Sequence, residues 1–445
     1  MSERRSGAWP AEEDLALLTD LYQLTMLQSY HRRGMDQDAT FELFVRHLPA
    51  NRRYLIACGL ASALEFLESL RFSADALAYL RGLDRFDDSF VEWLGALRFT
   101  GDLWAMPEGE VAFAGEPLLR VTAPLPEAQL VETFLLNAVL YQTGVASKAA
   151  RCVTAAAGRE VVDFSLRRDH GIDASLKAAR AAWVAGATGT SNVLAGKLYG
   201  IPVFGTMAHS YVMAFDDELE AFRSFAEEFP DGTVLLVDTY DTEHGLRLAV
   251  EVGRELAGRG QTLRGVRLDS GDPIALSRIA RRALDEAGLR DAQIFVSGDL
   301  NEWRIAELVA AGAPVDAFGV GTELGVVADA PALAGVYKLV EYAGRPRAKR
   351  SALKETIAGR KQVWRRSDGT DVLARDDVEI EGARPVLVRV MSGGRVSDEA
   401  LGAAGMPDAR ARCGESLKAL SPGLLDIAEC PPDSGPRPSI DPSLR

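Results

Sequence analysis

Between about residue 160 and residue 325, hydrophobic positions fall in short, nearly continuous runs, each closed by polar residues and followed by a stretch with helical spacing. The runs are Val161-Val162-Asp163-Phe164, Ile201-Pro202-Val203-Phe204, Val234-Leu235-Leu236-Val237, Gly265-Val266-Arg267-Leu268, Ile294-Phe295-Val296-Ser297 and Ala317-Phe318-Gly319-Val320. An apolar run without two-residue alternation suits a strand covered on both faces, as in a parallel sheet. From Ile201 onward the runs start roughly 20 to 35 residues apart, enough for one strand and one crossover helix. The intervening stretches predict helices over 175–185, 243–257, 273–287 and 300–311, the third opening on Pro273, which suits a first helical turn. No run leads into the Gly-x-Gly-x-x-Gly turn of dinucleotide folds, so the series predicts a TIM-like (β/α) barrel rather than a doubly wound sheet.

The flanks carry a different pattern. Residues 38–130 mix helical spacing, as at 60–70, with short strand-like runs at 40–45 and 111–121, and strand-like runs return after Tyr337, notably at 385–390. They predict a second α+β domain built from both chain ends, 13–135 and 341–430, around a barrel at 136–340. Residues 1–12 and the Pro/Ser-rich 431–445 predict disorder.

Polar residues gather at the C-terminal ends of the predicted strands: Arg167, Thr206, His209, Asp238, Arg267, Asp269, Ser297, Asp299 and Thr322. In a barrel that end carries the active site. Of five histidines, His209 is the one placed just after a buried strand among small residues and hydroxyls, in Gly205-Thr206-Met207-Ala208-His209-Ser210. Turn amides and hydroxyls there suit a phosphate oxygen. Arg267-Leu268-Asp269-Ser270-Gly271-Asp272-Pro273 ends a strand in alternating charges and opens a helix. Arg267 there can clamp an anion, while Asp269 and Asp272 can hold a sugar hydroxyl or a magnesium ion. Gly319-Val320-Gly321-Thr322 places two glycines and a hydroxyl where barrels bind phosphate. Asp238-Thr239-Tyr240-Asp241, Ser297-Gly298-Asp299 and Gly189-Thr190-Ser191-Asn192 read either as parts of the site or as helix caps. Asp20-Leu21-Tyr22-Gln23-Leu24-Thr25-Met26 reads as a packing helix.

Composition narrows the partners. Sixty-four acidic against 50 basic residues give a net charge of −14, which argues against nucleic-acid or membrane-surface binding and leaves an anionic substrate to a local arginine cluster. The four cysteines are far apart, with no Cys-x-x-Cys pair, and predict free thiols in a reducing cytoplasm. No apolar stretch approaches the ~20 residues of a membrane span, and no apolar signal core opens the chain.

Taken in order, Thr19 through Met26, Thr190-Ser191-Asn192-Val193-Leu194-Ala195-Gly196, Gly205 through Ser210, Arg267 through Asp272 and Gly319 through Thr322 resemble the nicotinate phosphoribosyltransferases, from about Leu17 to Glu341. The resemblance implies the irregular barrel of the type II phosphoribosyltransferases with a sandwich domain from both chain ends. It implies that nicotinate and 5-phosphoribosyl 1-diphosphate give nicotinate mononucleotide and diphosphate, with ATP as co-substrate and Mg2+ as cofactor, in NAD salvage. His209 is then the histidine that ATP phosphorylates, and Asp269 acts on the ribose or metal. Thr206 and Arg267 contact nicotinate, with Phe164 and the Tyr22 of a second subunit on the two ring faces, which implies a homodimer with shared active sites. Arg167 assists with phosphate or substrate, Thr322 takes the phosphate of the phosphoribosyl group, and Ser297, Gly298, Gly319 and Gly321 line the phosphate sites. Asp272 and Asp299 are the metal candidates.

Two departures stand out: Arg167-Arg168-Asp169-His170-Gly171 replaces the family's frequent Arg-Arg-Ala-Gln-Gly, and only Cys413 and Cys430 stand where some members carry a cysteine-rich metal site. A nicotinamide phosphoribosyltransferase is the nearest alternative. Its substrate amide calls for a loop carboxylate, and Gly189-Thr190-Ser191-Asn192 has none. A quinolinate enzyme needs more basic residues for its dicarboxylate. A non-catalytic phosphoribosyl-binding barrel is the alternative outside enzymes.

Overall fold

The computed structural model describes residues 10–349 and 356–444. It divides into two compact units, one of residues 1–144, 332–424 and 430–445, the other of residues 145–331 and 425–429. The chain passes between them within a long helix, α1 (Glu132–Ala155).

In the first unit, Asp38–Val45 pairs antiparallel with Gly335–Tyr342 on one side and Pro117–Pro124 on the other, so the centre of its seven-stranded sheet joins both flanks of the chain. Asp102–Ala105 and Val388–Ser392 extend the sheet. Leu43, Leu67, Phe90, Leu103 and Val121 are fully buried in the core beneath it. The strand Gly335–Tyr342 explains why this unit resumes at 332 rather than 341: its pairing, not its place in sequence, decides where it belongs. A four-stranded sheet of Ala383–Pro385, Lys361–Arg366, Asp371–Arg375 and Ser439–Ile440 accompanies it. That last strand corrects the expectation of disorder after 430. Val372 and Leu373 pair with Ser439 and Ile440, and Asp433 accepts from the Leu48 amide at 2.8 Å. Composition favoured disorder there, but backbone pairing to a formed sheet outweighs it. Of the N-terminal segment, residues 1–9 lie outside the described residues, and Glu12–Leu17 forms a 3-10 helix.

The second unit is built on a parallel sheet: β1 (Glu160–Asp163), β2 (Gly189–Thr190), β3 (Val234–Leu236), β4 (Gly265–Leu268), β5 (Gln293–Val296) and β6 (Ala317–Val320). Its order is β2-β1-β6-β5-β4-β3, every pairing parallel. Leu235, Val266, Ile294 and Phe318 are fully buried, as expected for strands covered on both faces. Helices follow the strands: α2 (Ile172–Val184), α3 (Val193–Tyr199), α4 (His209–Met213), α5 (Glu218–Glu228), α6 (Thr242–Gly258), α7 (Pro273–Glu286), α8 (Glu302–Ala310) and α9 (Thr322–Gly325). α6 buries Leu246, Ala249, Val252 and Leu256, one stripe at helical spacing.

The Ile201–Phe204 run is not a full strand. Only Val203 bridges Thr190, although the Pro202 carbonyl accepts from the Thr190 amide at 3.0 Å and the Phe204 amide donates to the Thr190 carbonyl at 2.9 Å. Pro202 lacks the N–H that a continued ladder requires. Read from Val203 through β2, β1, β6, β5 and β4 to β3, neighbours in space are neighbours around a closed cycle of the sequence. Among the described residues, no pairing joins Val203 to β3.

Candidate active site

Five of the six parallel strands, all but β3, deliver residues at or just past their C-terminal ends to one cavity of about 500 Å3. Phe164 and Arg167 follow β1, Thr206 follows the Val203 segment, and Arg267 and Asp269 come from the end of β4. Ser297, Gly298 and Asp299 follow β5, and Gly319, Gly321 and Thr322 close the ring from β6. Ser191, Arg168, Met207 and Ala208 share the lining.

Arg267 sits deepest among the charged groups, with its side chain 14% exposed. Its Nη1 donates to the Thr206 hydroxyl at 2.6 Å, and Nη2 lies 3.6 Å from Asp269. Its Nε is buried with no hydrogen-bond partner among the described residues. Burial pushes the Arg267 pKa down, against the pull of Asp269 and Asp238. A guanidinium keeps its charge through such a shift.

Asp269 is fixed from several sides. The Ser297 hydroxyl donates to its Oδ1. Buried Asp238 accepts from the Asp269 amide at 3.0 Å and the Ser270 hydroxyl at 2.6 Å, pinning the turn. Gly298 comes against the Asp269 carbonyl from the next strand, and a Cβ on it would lie 2.2 Å from that oxygen. Its φ of +90 also demands glycine.

Phe164 packs on Phe295 with ring centres 5.5 Å apart. Gly319 makes that possible, because a Cβ there would meet the Phe164 ring at 2.7 Å. Beside it, buried Asp163 accepts from the Thr190 hydroxyl at 2.7 Å and the Ser165 amide at 2.9 Å, and burial raises its pKa. The Asp169 carboxyl, which bonds the Ser165 hydroxyl, is pushed up to about 6, chiefly by burial and then by Asp163.

His209 opens α4 beside the cavity rather than in its lining. Its Nδ1 shares a 3.1 Å hydrogen bond with the Thr239 hydroxyl, and its Nε2 lies 3.9 Å from Asp269 Oδ2. Asp272 is elsewhere: its carboxylate caps α7 by accepting from the Ile274 amide at 3.0 Å. Asp241 and Asn192 are likewise caps, of α6 and α3. Tyr22 is exposed in the first unit, at the start of the helix Leu21–Arg33. In the sequence, Thr239 stands in a run that reads either as part of the site or as a helix cap, and Arg168 has no assigned role. The strand-end rule that found Asp269 applies to Thr239 too, but which strand-end hydroxyl meets the histidine is a matter of tertiary distance.

No group of three or more metal-ligating His, Cys, Asp or Glu side chains occurs among the described residues. The hard oxygens of Asp269 and Asp299 on the cavity wall suit a magnesium ion that keeps most of its coordination for water and substrate phosphate. The cysteines are all free thiols. Among the described residues, no helix is long and apolar enough to cross a membrane.

A cavity with a guanidinium and a carboxylate on one wall and glycine turns on another suits an α/β enzyme for small anions. Its family follows from comparison with known proteins. A family model for the nicotinate phosphoribosyltransferase N-terminal domain matches residues 17–140, and the nicotinate phosphoribosyltransferase family model matches residues 160–367. Nicotinate phosphoribosyltransferase pncB2 of Mycobacterium tuberculosis is 52% identical over 384 residues, covering 85% of this chain and 82% of the relative. The nicotinate phosphoribosyltransferase of Bacillus subtilis is 46% identical over 80% of this chain and 74% of its own length. The crystal structure of human nicotinic acid phosphoribosyltransferase superposes with a TM-score of 0.84 at 29% identity, covering 96% of this chain and 98% of that one. The chain belongs to the nicotinate phosphoribosyltransferase family and is an enzyme of that kind.

Proposed function

We propose that the enzyme joins nicotinate to 5-phosphoribosyl 1-diphosphate within NAD salvage in the cytoplasm, and couples ATP hydrolysis to the transfer through a phosphate carried on His209. Arg267 is the observation that carries the substrate assignment. Its guanidinium lines the cavity beside the Thr206 hydroxyl, with Asp269 held off at 3.6 Å, and the carboxylate of nicotinate supplies the close counter-charge it lacks. The Gly189–Asn192 turn brings Ser191 to the cavity and no carboxylate, which favours the acid over the amide.

With its carboxylate on Arg267 and Thr206, nicotinate lays its ring against Phe164. The pyridine nitrogen attacks C1 of the ribose as diphosphate leaves. No proton moves in that step, and catalysis rests on orienting the two partners and stabilising charge. The Gly319–Thr322 turn takes the 5-phosphate, Ser297 and Gly298 offer further phosphate contacts, and Arg167 supplies positive charge to the diphosphate. Asp269, held by Ser297 and Asp238, supports the ribose hydroxyls. Magnesium, held by Asp269 and Asp299, would neutralise charge on the diphosphate. Asp272 is committed to its cap and has no part in this reading.

The cyclic neighbour order of the parallel strands supports a TIM-like barrel with one unpaired seam beside Val203. A homodimer is supported by apolar side chains left exposed on each unit, Leu18, Leu21 and Tyr22 on one, Val193, Leu194 and Leu198 on the other. In that assembly Tyr22 of one subunit covers the second face of the nicotinate ring in its partner.

Incubation with γ-labelled ATP tests the coupling. Acid-labile label on the wild type and none on His209→Ala is expected. Equal label on both, or none on either, overturns it.

A further inference from the structure

Outside the lining of the cavity lies a cluster of charges that the reaction above does not use. Lys148 on α1 has a side chain with no solvent exposure. Its Nζ lies 2.6 Å from Glu302 Oε2, 2.9 Å from Asp329 Oδ1 and 4.0 Å from Glu323 Oε2. One turn along α1, Arg151 donates from Nε to the other Glu302 oxygen at 2.9 Å. Arg151 Nη2 and Trp303 Nε1 both donate to the Ile427 carbonyl, and the Trp303 ring lies 4.9 Å from Lys148 Nζ.

The partners of Lys148 are placed with respect to the cavity. Glu302 opens α8, directly after the turn that carries Ser297, Gly298 and Asp299. Glu323 follows Thr322 in α9, and Asp329 lies in the segment after that helix. One buried ammonium therefore reaches the supports of two separate turns of the active cavity.

We infer that Lys148 is a positioning residue that holds these two turns in register for the phosphoribosyl substrate. The inference rests on reading the Thr322 turn as a phosphate site. A buried ion cluster adds little stability over apolar packing of equal volume, so its charges are poorly explained as glue. What they do is penalise displacement: if either turn shifts, an ammonium or a carboxylate is stranded out of water without its partner. Phosphate-binding amides must stand within a fraction of an ångström of their place, which is the precision such a penalty enforces.

Steady-state kinetics on Lys148→Met, Asp329→Asn and Asp329→Glu, with Thr322→Val as the reference for the site itself, tests this. Lys148→Met and Asp329→Asn are expected to raise KM for 5-phosphoribosyl 1-diphosphate about tenfold and to change KM for nicotinate by less than about twofold, with Asp329→Glu recovering most of the loss. If Lys148→Met does not fold, the two Asp329 variants decide. Equal changes in both KM values, or a lowered melting temperature with both KM values unchanged, would overturn the positioning role and leave a structural one. Should Thr322→Val leave KM for 5-phosphoribosyl 1-diphosphate unchanged, the reading of that turn fails instead. A Thr322 effect without a Lys148 or Asp329 effect defeats the inference alone.

Discussion

Arg267 and Asp269 stand two residues apart at the end of one strand, and their surroundings give them different work. The arginine is sunk beneath Thr206 with one N–H unpaired, whereas the aspartate is a third exposed and braced by Ser297 and the Asp238-held turn. Arg267→Ala should therefore raise KM for nicotinate and lower kcat/KM by the equivalent of about 2 to 5 kcal/mol, from loss of a charged pair. An unchanged kcat/KM would mean that another residue reads the carboxylate. Asp169 yields a second residue-scale prediction. Its folded pKa, about 6, lies above the ordinary 3.8, so the folded state holds the proton more tightly and this group's contribution to stability falls as pH rises from about 4 to 6. Asp169→Asn should stabilise the fold at pH 7.5 by about 1 kcal/mol, allowing for solvent at its exposed side, and confer no gain near pH 4. Thermal melts at the two pH values check the sign, and a gain confined to low pH would contradict it. That Arg267 and Asp269 line the cavity was legible in the sequence because a charge that closes a buried apolar strand is costly to keep unless it meets a counter-charge or a ligand, and Thr206 was legible from its place just past an apolar run. Asp272 was not, since a capping aspartate and a metal-binding aspartate occupy the same place at a strand-to-helix junction.

At the scale of elements, the strands β4 and β6 coincide with their apolar runs, and the helices start within a few residues of the predicted positions. Uninterrupted apolar runs over both faces leave little choice of structure. The Val203 segment was less legible, because Pro202 still offers its carbonyl to a ladder while withholding its amide, and only the neighbouring strand decides how far pairing continues. Gly298 shows how two strand ends are locked together. Gly298→Ala would force a left-handed φ on an alanine and drive a Cβ against the Asp269 carbonyl. The strain is about 1 to 3 kcal/mol, and relief by moving the turn should lower kcat/KM at least tenfold. Wild-type kcat/KM in this variant would show that the turn is not held as described.

At the scale of the molecule, the sequence distinguished a parallel βα series from mixed flanks, but the exchange of the segment from 332 and of residues 425–429 between units depends on pairing and buried contacts that no local pattern carries. The proposed sharing of active sites belongs to this scale as well. If Tyr22 completes the site of the second subunit, Tyr22→Ala and His209→Ala place their defects on different subunits of one site, so mixing the two under conditions of subunit exchange should restore roughly a quarter of wild-type activity through heterodimers with one intact site. No recovery despite proven exchange would argue against a contribution from Tyr22 across the interface. The central claim, that the cavity reads a pyridine carboxylate through Arg267, is tested most directly by the initial rate of diphosphate release from 5-phosphoribosyl 1-diphosphate with nicotinate or nicotinamide as acceptor. Rapid release with nicotinate and little with nicotinamide is predicted, and a preference for nicotinamide would contradict it.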